Sequence, residues 1–129
     1  MIIALRTDNP DAEIYLYQGK DRISSFTWHA DRQLARELLT MIHTELQKQG
    51  ADWHDITGVL VFEGPGSFTG LRIGITVADT LAYGLKVPIV AAKGDNWLKD
   101  GIVRLEGGED DRLAQPHYGA EANITMPKK

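Results

Sequence analysis

The stretch Gly58-Val-Leu-Val-Phe-Glu-Gly-Pro-Gly-Ser-Phe-Thr-Gly-Leu-Arg-Ile-Gly74 joins an unbroken apolar run to a glycine-rich turn and then to the start of a helical pattern. A short, β-branched run of this kind is typical of a strand that is covered on both faces. The helical pattern continues to about Gly84, and Val87-Pro-Ile-Val-Ala91 follows as another strand. A strand, a helix and a strand in this order predict parallel neighbours joined by a right-handed crossover.

Two kinds of hydrophobic period precede this stretch. The run Ile2 to Leu5 and the β-prone segments on either side of Gln18-Gly19-Lys20-Asp21 predict three strands, the last two forming a hairpin. From Asp31 the apolar residues recur at three and four positions, which predicts an amphipathic helix that stops at Gly50. The predicted order is βββαβαβ, an α/β fold whose mixed sheet has both helices on one side or one on each face.

Residues 93–129 carry a weaker signal. Asp95–Asp100 predicts at most one helical turn, Ile102–Leu105 a short strand, and Glu106–Asp111 a solvated acidic loop. The last fifteen residues have two prolines and little periodicity, so we expect an extended tail that is ordered only where it docks. We therefore expect one lobe at residues 1–92, followed by a short irregular segment and C-terminal tail at residues 93–129.

Composition limits the classes of function. The 129 residues, 43% apolar and 25% charged, suit one globular domain. The absence of cysteine excludes disulfides, a thiolate nucleophile and cysteine-based metal sites. A net charge of −4 argues against a nucleic-acid binder that depends on many basic contacts. The first five residues are apolar and charge follows, so we expect neither a signal peptide nor a membrane span, and a cytoplasmic location.

The Gly64–Gly70 loop is the most informative candidate for chemistry. Its glycines permit close backbone approach, Ser67 can cap the following helix, and free N–H groups there can hold an anion. Neither nucleotide-binding motif fits, because Leu71 stands where Walker A needs its lysine and Thr69 where the dinucleotide fingerprint needs glycine. A tight strand-to-helix turn is the simpler interpretation. The alternative is a small nucleotide-binding enzyme or ATPase that uses Ser67 and Thr69 as hydroxyl ligands.

Small residues recur every four positions in the helix after this loop, at Gly70, Gly74, Ala78 and Ala82. A glycine inside a helix costs about 1 kcal/mol relative to alanine, so glycines accepted here indicate a tight contact with other backbone. The contact can be made with this chain's own sheet or helix, or with a helix from another subunit. The sequence leaves both possibilities open.

No other cluster supports a catalytic or metal site. The four histidines form no local metal-binding pair, and a polar loop accounts for Asp52, His54 and Asp55. No base or acid can be assigned to Ser67. We therefore expect no catalytic residue, no metal and no cofactor.

The glycine-rich turn and its helix closely resemble the TsaB (YeaZ) family. A segment of the first predicted helix is also similar to the family, as is the closing segment of some members. The resemblance covers about residues 1–92 and the tail, and it implies an actin-like (ASKHA, RNase H-like) lobe. The residues that carry it are Gly64-Pro-Gly-Ser-Phe-Thr-Gly-Leu-Arg-Ile-Gly74, Ala78, Leu81-Ala-Tyr83, Val87-Pro88, Leu38-Leu-Thr-Met-Ile42, Pro116-His-Tyr118 and Asn123-Ile-Thr-Met-Pro-Lys128.

This family supplies the partner subunit of TsaD in making threonylcarbamoyladenosine beside the tRNA anticodon. The resemblance therefore implies a non-catalytic scaffold whose two helices form a bundle with TsaD, or with a second copy when TsaD is absent. A TsaE-type ATPase is a further implied partner, and tRNA is reached only through the complex. A close contact across the bundle would explain the helix glycines. The implied partner-binding residues are Leu38, Ile42, Gly66, Ser67, Phe68, Thr69, Gly70, Leu71, Gly74, Ile75 and Ala78.

Several features depart from the family pattern. Arg6-Thr7-Asp8 stands where Asp-Thr-Ser commonly follows the first strand, and a cation there would repel magnesium. Leu34 stands where the first helix often has a histidine. The metal histidines of TsaD are absent, which removes support for peptidase activity. The family usually has a second lobe, so we expect a short form made of the first lobe and a tail.

Overall fold

The described part of the chain forms one five-stranded mixed sheet with helices on both faces. The computed structural model describes residues 1–66 and 68–115. The strand order across the sheet is β3-β2-β1-β4-β5. In chain order the elements are β1 (Ile2–Arg6), β2 (Asp11–Gln18), β3 (Asp21–His29), α1 (Leu34–Lys48), β4 (Gly58–Gly64), α2 (Phe68–Leu85), β5 (Ile89–Lys93) and α3 (Trp97–Glu106).

The sheet has the mixed topology that the sequence predicts. Strands β1, β2 and β3 form an antiparallel meander, and Gly19 takes a φ of +62° in the predicted hairpin turn. Strand β4 then pairs in parallel with β1, and β5 pairs in parallel with β4. The predicted order βββαβαβ is confirmed, and a third helix extends it. The fold is a single α/β lobe of the actin-like, RNase H-like class.

Helices α1 and α2 pack side by side on one face of the sheet. They contact each other, and apart from Leu71 their buried apolar side chains share one cluster with those of the sheet. In α1 the buried stripe is Leu34, Leu38, Ile42 and Leu46, so the position of Leu34 has no polar role. No helix in the part of the chain that the structure describes is long and apolar enough to cross a membrane.

Alternate residues of the central strands face opposite sides of the sheet. Ile3 and Leu5 pack toward α1 and α2, whereas Ile2 and Ala4 pack toward α3. Both clusters consist of fully or almost fully buried side chains. Strands β1 and β4 are therefore buried on both faces, as the unbroken apolar runs predict.

The segment after residue 92 differs from the sequence-based expectation. Residues 97–106 form the ten-residue helix α3, so the predicted single turn and short strand are wrong, and the segment is not irregular there. A glycine followed by two β-branched residues, Gly101-Ile-Val103, disguises the helix locally. The glycine is required because a Cβ there would lie 2.1 Å from Cδ1 of Leu60. The boundary at residue 92 itself stays a prediction.

The acidic residues after α3 are exposed, and residues 107–111 lie outside helices and strands, as the predicted solvated loop requires. In addition, the side chains of Asp110 and Asp111 accept hydrogen bonds from main-chain N–H groups of β5. The next stretch crosses to α2, where the N–H of Ala114 donates to Oδ1 of Asp79 at 2.7 Å. Residues 116–129, with the predicted extended tail, lie outside the described residues.

Candidate functional site

The glycine-rich loop and the start of α2 lie beside the end of β1. The hydroxyl of Thr7 donates to the carbonyl oxygen of Gly70 at 2.7 Å. A Cβ on Gly74 would lie 2.1 Å from Oγ1 of the same Thr7, a distance that no real Cβ could adopt. The tight contact indicated by the helix glycines is thus made within the chain at Gly74. A contact with another subunit is therefore not needed to explain why position 74 is glycine.

An ion pair between Arg6 and Asp8 lies next to this loop. The Arg6 guanidinium donates to both carboxylate oxygens of Asp8, from Nε at 2.8 Å and from Nη2 at 3.1 Å, and it stacks 3.9 Å from the ring centroid of Phe62. The hydrogen bond to Asp8 raises the pKa of Arg6 further, against the opposing effect of its burial. The cation expected at this position is therefore neutralised by its own neighbour.

The carboxylate of Asp8 also weighs against phosphate binding by the loop. A Cβ on Gly66 would lie 2.5 Å from Cβ of Asp8 and 3.1 Å from its Oδ2. The glycine thus serves a close approach between the loop and an acidic side chain. The Asp8 side chain therefore fills the space that a phosphate would need against this part of the loop, which disfavours the nucleotide-binding alternative. Ser67, one of its proposed ligands, lies outside the described residues.

Most of the predicted partner-binding side chains point into the protein. Leu38 and Ile42 of α1, and Leu71, Ile75 and Ala78 of α2, are buried in the clusters against the sheet. They support the helices from beneath and offer no exposed apolar surface. Within the predicted set, Gly66 and Thr69 are exposed and Gly70 is half-buried, while the side chain of Phe68 lies outside the described part.

The outward surface of the same two helices contains a groove that the sequence analysis missed. We call it the α1–α2 groove; its volume is about 400 Å³, and its lining residues are Ala35, Thr69, Arg72, Ile73, Thr76 and Val77. Leu39, four residues after Ala35 on α1, is 47% exposed. The sequence does contain a pattern that could have predicted the groove. Ile73 and Val77 are four residues apart, so they lie on one side of α2, next to the buried stripe of Leu71, Ile75 and Ala78.

The polar loop before β4 has a structural explanation. The Asp52 side chain accepts from the N–H of Trp53 at 2.8 Å, and the Asp55 side chain accepts from the N–H of Asp52 at 2.9 Å. The Asp52 side chain also accepts from the N–H of Asp55, and this bond together with the one from the N–H of Asp52 forms a capping box on a short 3-10 turn. Among the described residues no group of three or more acidic or histidine side chains could hold a metal ion.

A family model and several curated proteins match this chain. The model described as "TsaD: tRNA N6-adenosine threonylcarbamoyltransferase" matches residues 28–93, half of the chain. A protein of Bacillus subtilis named "tRNA threonylcarbamoyladenosine biosynthesis protein TsaB" is 32% identical over 119 residues, which is 92% of this chain and 50% of that protein. The protein of the same name from Escherichia coli is 33% identical over 94 residues, 67% of this chain and 40% of that protein.

Two further similarities concern a transferase and a solved structure. A "tRNA N6-adenosine threonylcarbamoyltransferase" from Geotalea uraniireducens is 38% identical over 76 residues, 59% of this chain and 21% of that protein. The solved structure "YeaZ from Pseudomonas aeruginosa" superposes with a TM-score of 0.66 and 29% identity, over 71% of this chain and 43% of that one. The chain thus spans half or less of the length of these relatives.

Proposed function

Because this chain belongs to the TsaB (YeaZ) family, we propose that it is a non-catalytic subunit in the biosynthesis of threonylcarbamoyladenosine in tRNA. In this role it binds a TsaD-type protein and activates it for threonylcarbamoyl transfer to the adenosine next to the anticodon. The observation that carries the proposal is the α1–α2 groove, an open and largely apolar surface between two helices that are rigidly packed on the sheet.

The chemistry of the groove suits contact with another helix. Ile73 and Val77 are half-buried and pack on the core, so their outer surfaces form the floor. Thr69 and Thr76 are exposed along α2, and Leu39 extends the apolar surface on α1. A small apolar centre with a polar rim is the usual composition of a protein interface. The predicted contacts of Leu71, Ile75 and Ala78 with the partner are replaced in this proposal by those of their outward neighbours.

Similarity to two kinds of protein supports a TsaD-type partner. The family model covers residues 28–93, which include the whole of α1 and α2. Proteins named TsaB and proteins named as the transferase both resemble this chain. Two related lobes that share a helix pair can pack these pairs together about an approximate two-fold axis. The same geometry allows a homodimer in the absence of the partner, and a TsaE-type ATPase remains a further predicted partner.

The position of Asp8 is the reason for proposing a subunit without nucleotide chemistry of its own. Its carboxylate lies against Gly66, and its counter-charge is Arg6 of the same chain. Titration calorimetry with ATP and magnesium, on the chain alone and on the complex, tests this part separately. Tight binding by the chain alone would favour the nucleotide-binding enzyme.

A paired substitution in the groove tests the partner surface. We expect Thr76→Arg combined with Leu39→Asp to weaken binding of the cognate TsaD-type protein at least about tenfold, because both place charge on an apolar surface without touching the core. The matched control is Thr44→Arg, which is exposed on α1 about two and a half turns after Ala35 and therefore on the opposite side of the helix. Co-purification followed by calorimetry measures the affinity. Wild-type affinity in the folded double variant would contradict the proposal.

A further inference from the structure

A cleft lies between α3 and the turn that joins β2 to β3, on the face of the sheet opposite to α1 and α2. We call it the α3 cleft; its volume is about 520 Å³. Its apolar lining comes from Leu98, Ile102 and Val103 of α3, and Val103 is 53% exposed. An apolar surface in contact with water thus lies beside positive charge. Three exposed cations also line the cleft, namely Lys20, Arg22 and Lys99.

Positive charge predominates in this lining, although the whole chain has a net charge of −4. Among the described residues that line the cleft, Asp95 alone is acidic. No carboxylate of the described residues forms an ion pair with the three cations, whereas the guanidiniums of Arg6 and Arg104 are both paired. The charge of the cleft is therefore available to an anion from another molecule.

A β-bulge turns Arg22 toward the α3 cleft. Arg22 lies opposite Tyr17 of β2. Ser24 lies opposite the preceding residue, Leu16, so Ile23 is an extra residue in β3. Ser24 faces α1, where its hydroxyl donates to a carboxylate, and in a regular strand Arg22 would face α1 as well. The bulge places Arg22 on the opposite face, and such bulges often re-aim a side chain next to a functional site.

Aromatic side chains hold the guanidinium of Arg22 in position. Its Nε donates to the hydroxyl of Tyr17 at 3.3 Å, and its Cζ lies 4.9 Å from the ring centroid of Tyr15. Tyr15 in turn meets the buried Trp97 edge to face, with the ring centroids 6.0 Å apart. The two terminal nitrogens of Arg22 make no hydrogen bond to a described residue. An arginine that is ordered in advance loses less conformational entropy when it binds an anion.

We propose that the α3 cleft binds an acidic segment of another protein, in which carboxylates flank an apolar side chain. The carboxylates pair with Lys20, Arg22 and Lys99, and the two terminal nitrogens of Arg22 match the two oxygens of one carboxylate. The apolar side chain packs against Leu98 and Val103 and removes their surfaces from water. The chain thereby has a second partner surface, on the face of the sheet opposite to the α1–α2 groove.

The lining favours a peptide over a nucleic acid. Proteins that bind single strands stack bases on exposed aromatic rings. In the α3 cleft, Tyr17 is 7% exposed, and the guanidinium of Arg22 lies over the ring of Tyr15. The surface beside the cations is aliphatic, which suits a side chain such as leucine better than a base.

Chemical-shift titration of the isotopically labelled chain with short synthetic probes tests the proposal. The main probe is the hexapeptide acetyl-Glu-Leu-Glu-Glu-Leu-Glu-amide, which has carboxylates on both sides of each leucine. We expect it to shift the amide resonances of Arg22, Leu98 and Val103. Companion peptides replace glutamate by lysine or leucine by serine, and an oligouridylate of equal length represents RNA. We expect each companion to bind about fivefold or more weakly than the main probe.

Substitutions in the chain assign the binding to the cleft. We expect Arg22→Gln with Lys99→Gln to weaken the main probe about fivefold or more, because charge-assisted contacts are lost. Val103→Ser should weaken it about threefold, because it removes apolar surface. The matched control is Arg36→Gln with Lys86→Gln, which removes the same charge from exposed positions outside the cleft. Its affinity for the main probe should stay within about twofold of the wild-type value.

Four results would overturn the proposal. They are no binding of the main probe, equal or tighter binding of a companion probe, shifts confined to Ile73 and Val77 of the α1–α2 groove, and undiminished affinity in the variant lacking both cations. If that variant does not fold by circular dichroism, Lys20→Gln with Lys99→Gln is measured in its place, with the same expected direction. No probe derives from a TsaD-type protein, so these results do not depend on the role proposed for the groove.

Discussion

At the scale of single residues, glycines set the distance between elements of this lobe. Gly74 lets α2 approach the buried Thr7 at the end of β1, and Gly101 lets α3 approach Leu60 of β4. Both positions are inside helices, where glycine has a conformational cost. The cost is offset because the space for a Cβ is already taken by a side chain of the sheet.

Gly74→Ala tests this interpretation. We expect the free energy of unfolding to fall by about 1–3 kcal/mol, because the new methyl group must displace a packed and hydrogen-bonded threonine. Gly84→Ala in the same helix is the control, since no atom lies within 4 Å of a Cβ there, and we expect it to gain about 0.5–1 kcal/mol. Urea unfolding measures both. Equal stability of the two variants would refute a steric role for Gly74.

At the scale of elements, the sequence predicted those helices whose own period reveals them. The buried stripe of α1 recurs at three and four residues and is visible without any partner. Helix α3 was missed because Gly101 has a purpose only opposite Leu60, about forty residues earlier in the chain. The hydrogen bonds from β5 to the side chains of Asp110 and Asp111 were missed for the same reason, since their donors lie about twenty residues earlier in the chain. Contacts between distant residues leave no local period.

The stretch after α3 is fastened to α2 by an acidic side chain that burial makes harder to ionise. Burial raises the pKa of Asp79 above its ordinary value of 3.8, although the N–H of Ala114 acts in the opposite direction. The folded state therefore holds this proton to higher pH than the unfolded state does. The contribution of Asp79 to stability consequently decreases as the pH rises from about 4 toward neutrality.

Asp79→Asn should remove this loss of stability at higher pH. It should keep the hydrogen bond from the N–H of Ala114, because the carboxamide oxygen still accepts. At pH 7 we expect the free energy of unfolding of the asparagine variant to equal or exceed that of the parent protein. The difference should be less than about 1 kcal/mol, because the site is partly solvated, and it should become smaller at pH 4. Asp79→Ala, which lacks the acceptor, should be less stable than both. Thermal unfolding at the two pH values decides; an asparagine variant as unstable as the alanine variant would contradict it.

At the scale of the whole molecule, one sheet supports two hydrophobic clusters. Trp28 and Trp53 pack against the cluster beneath α1 and α2, whereas Trp97 is buried in the cluster beneath α3 against Phe62 and Tyr15. The strands β1, β4 and β5 contribute side chains to both clusters. Neither cluster can separate from the sheet without exposing strands that the other one needs.

We therefore expect a single cooperative unfolding transition of this chain. Fluorescence of Trp28→Phe with Trp53→Phe reports on the α3 face alone, and fluorescence of Trp97→Phe reports on the opposite face. Within each variant, the denaturant midpoint from fluorescence should coincide with that from far-ultraviolet circular dichroism. An earlier midpoint for Trp97 would show that the α3 side unfolds independently.

The alternation of side chains along β1, β4 and β5 also shapes how this lobe can diverge. Adjacent positions such as Val59 and Leu60 belong to different clusters, so a change in one alters the packing of α1 and α2 and a change in the other alters that of α3. Compensating changes should accordingly pair residues across space, Leu60 with Gly101 for example, and skip the neighbour in sequence. Substitutions on the two faces of the sheet can thus accumulate separately during evolution. Those on one face affect the groove over α1 and α2, and those on the other affect the packing of α3.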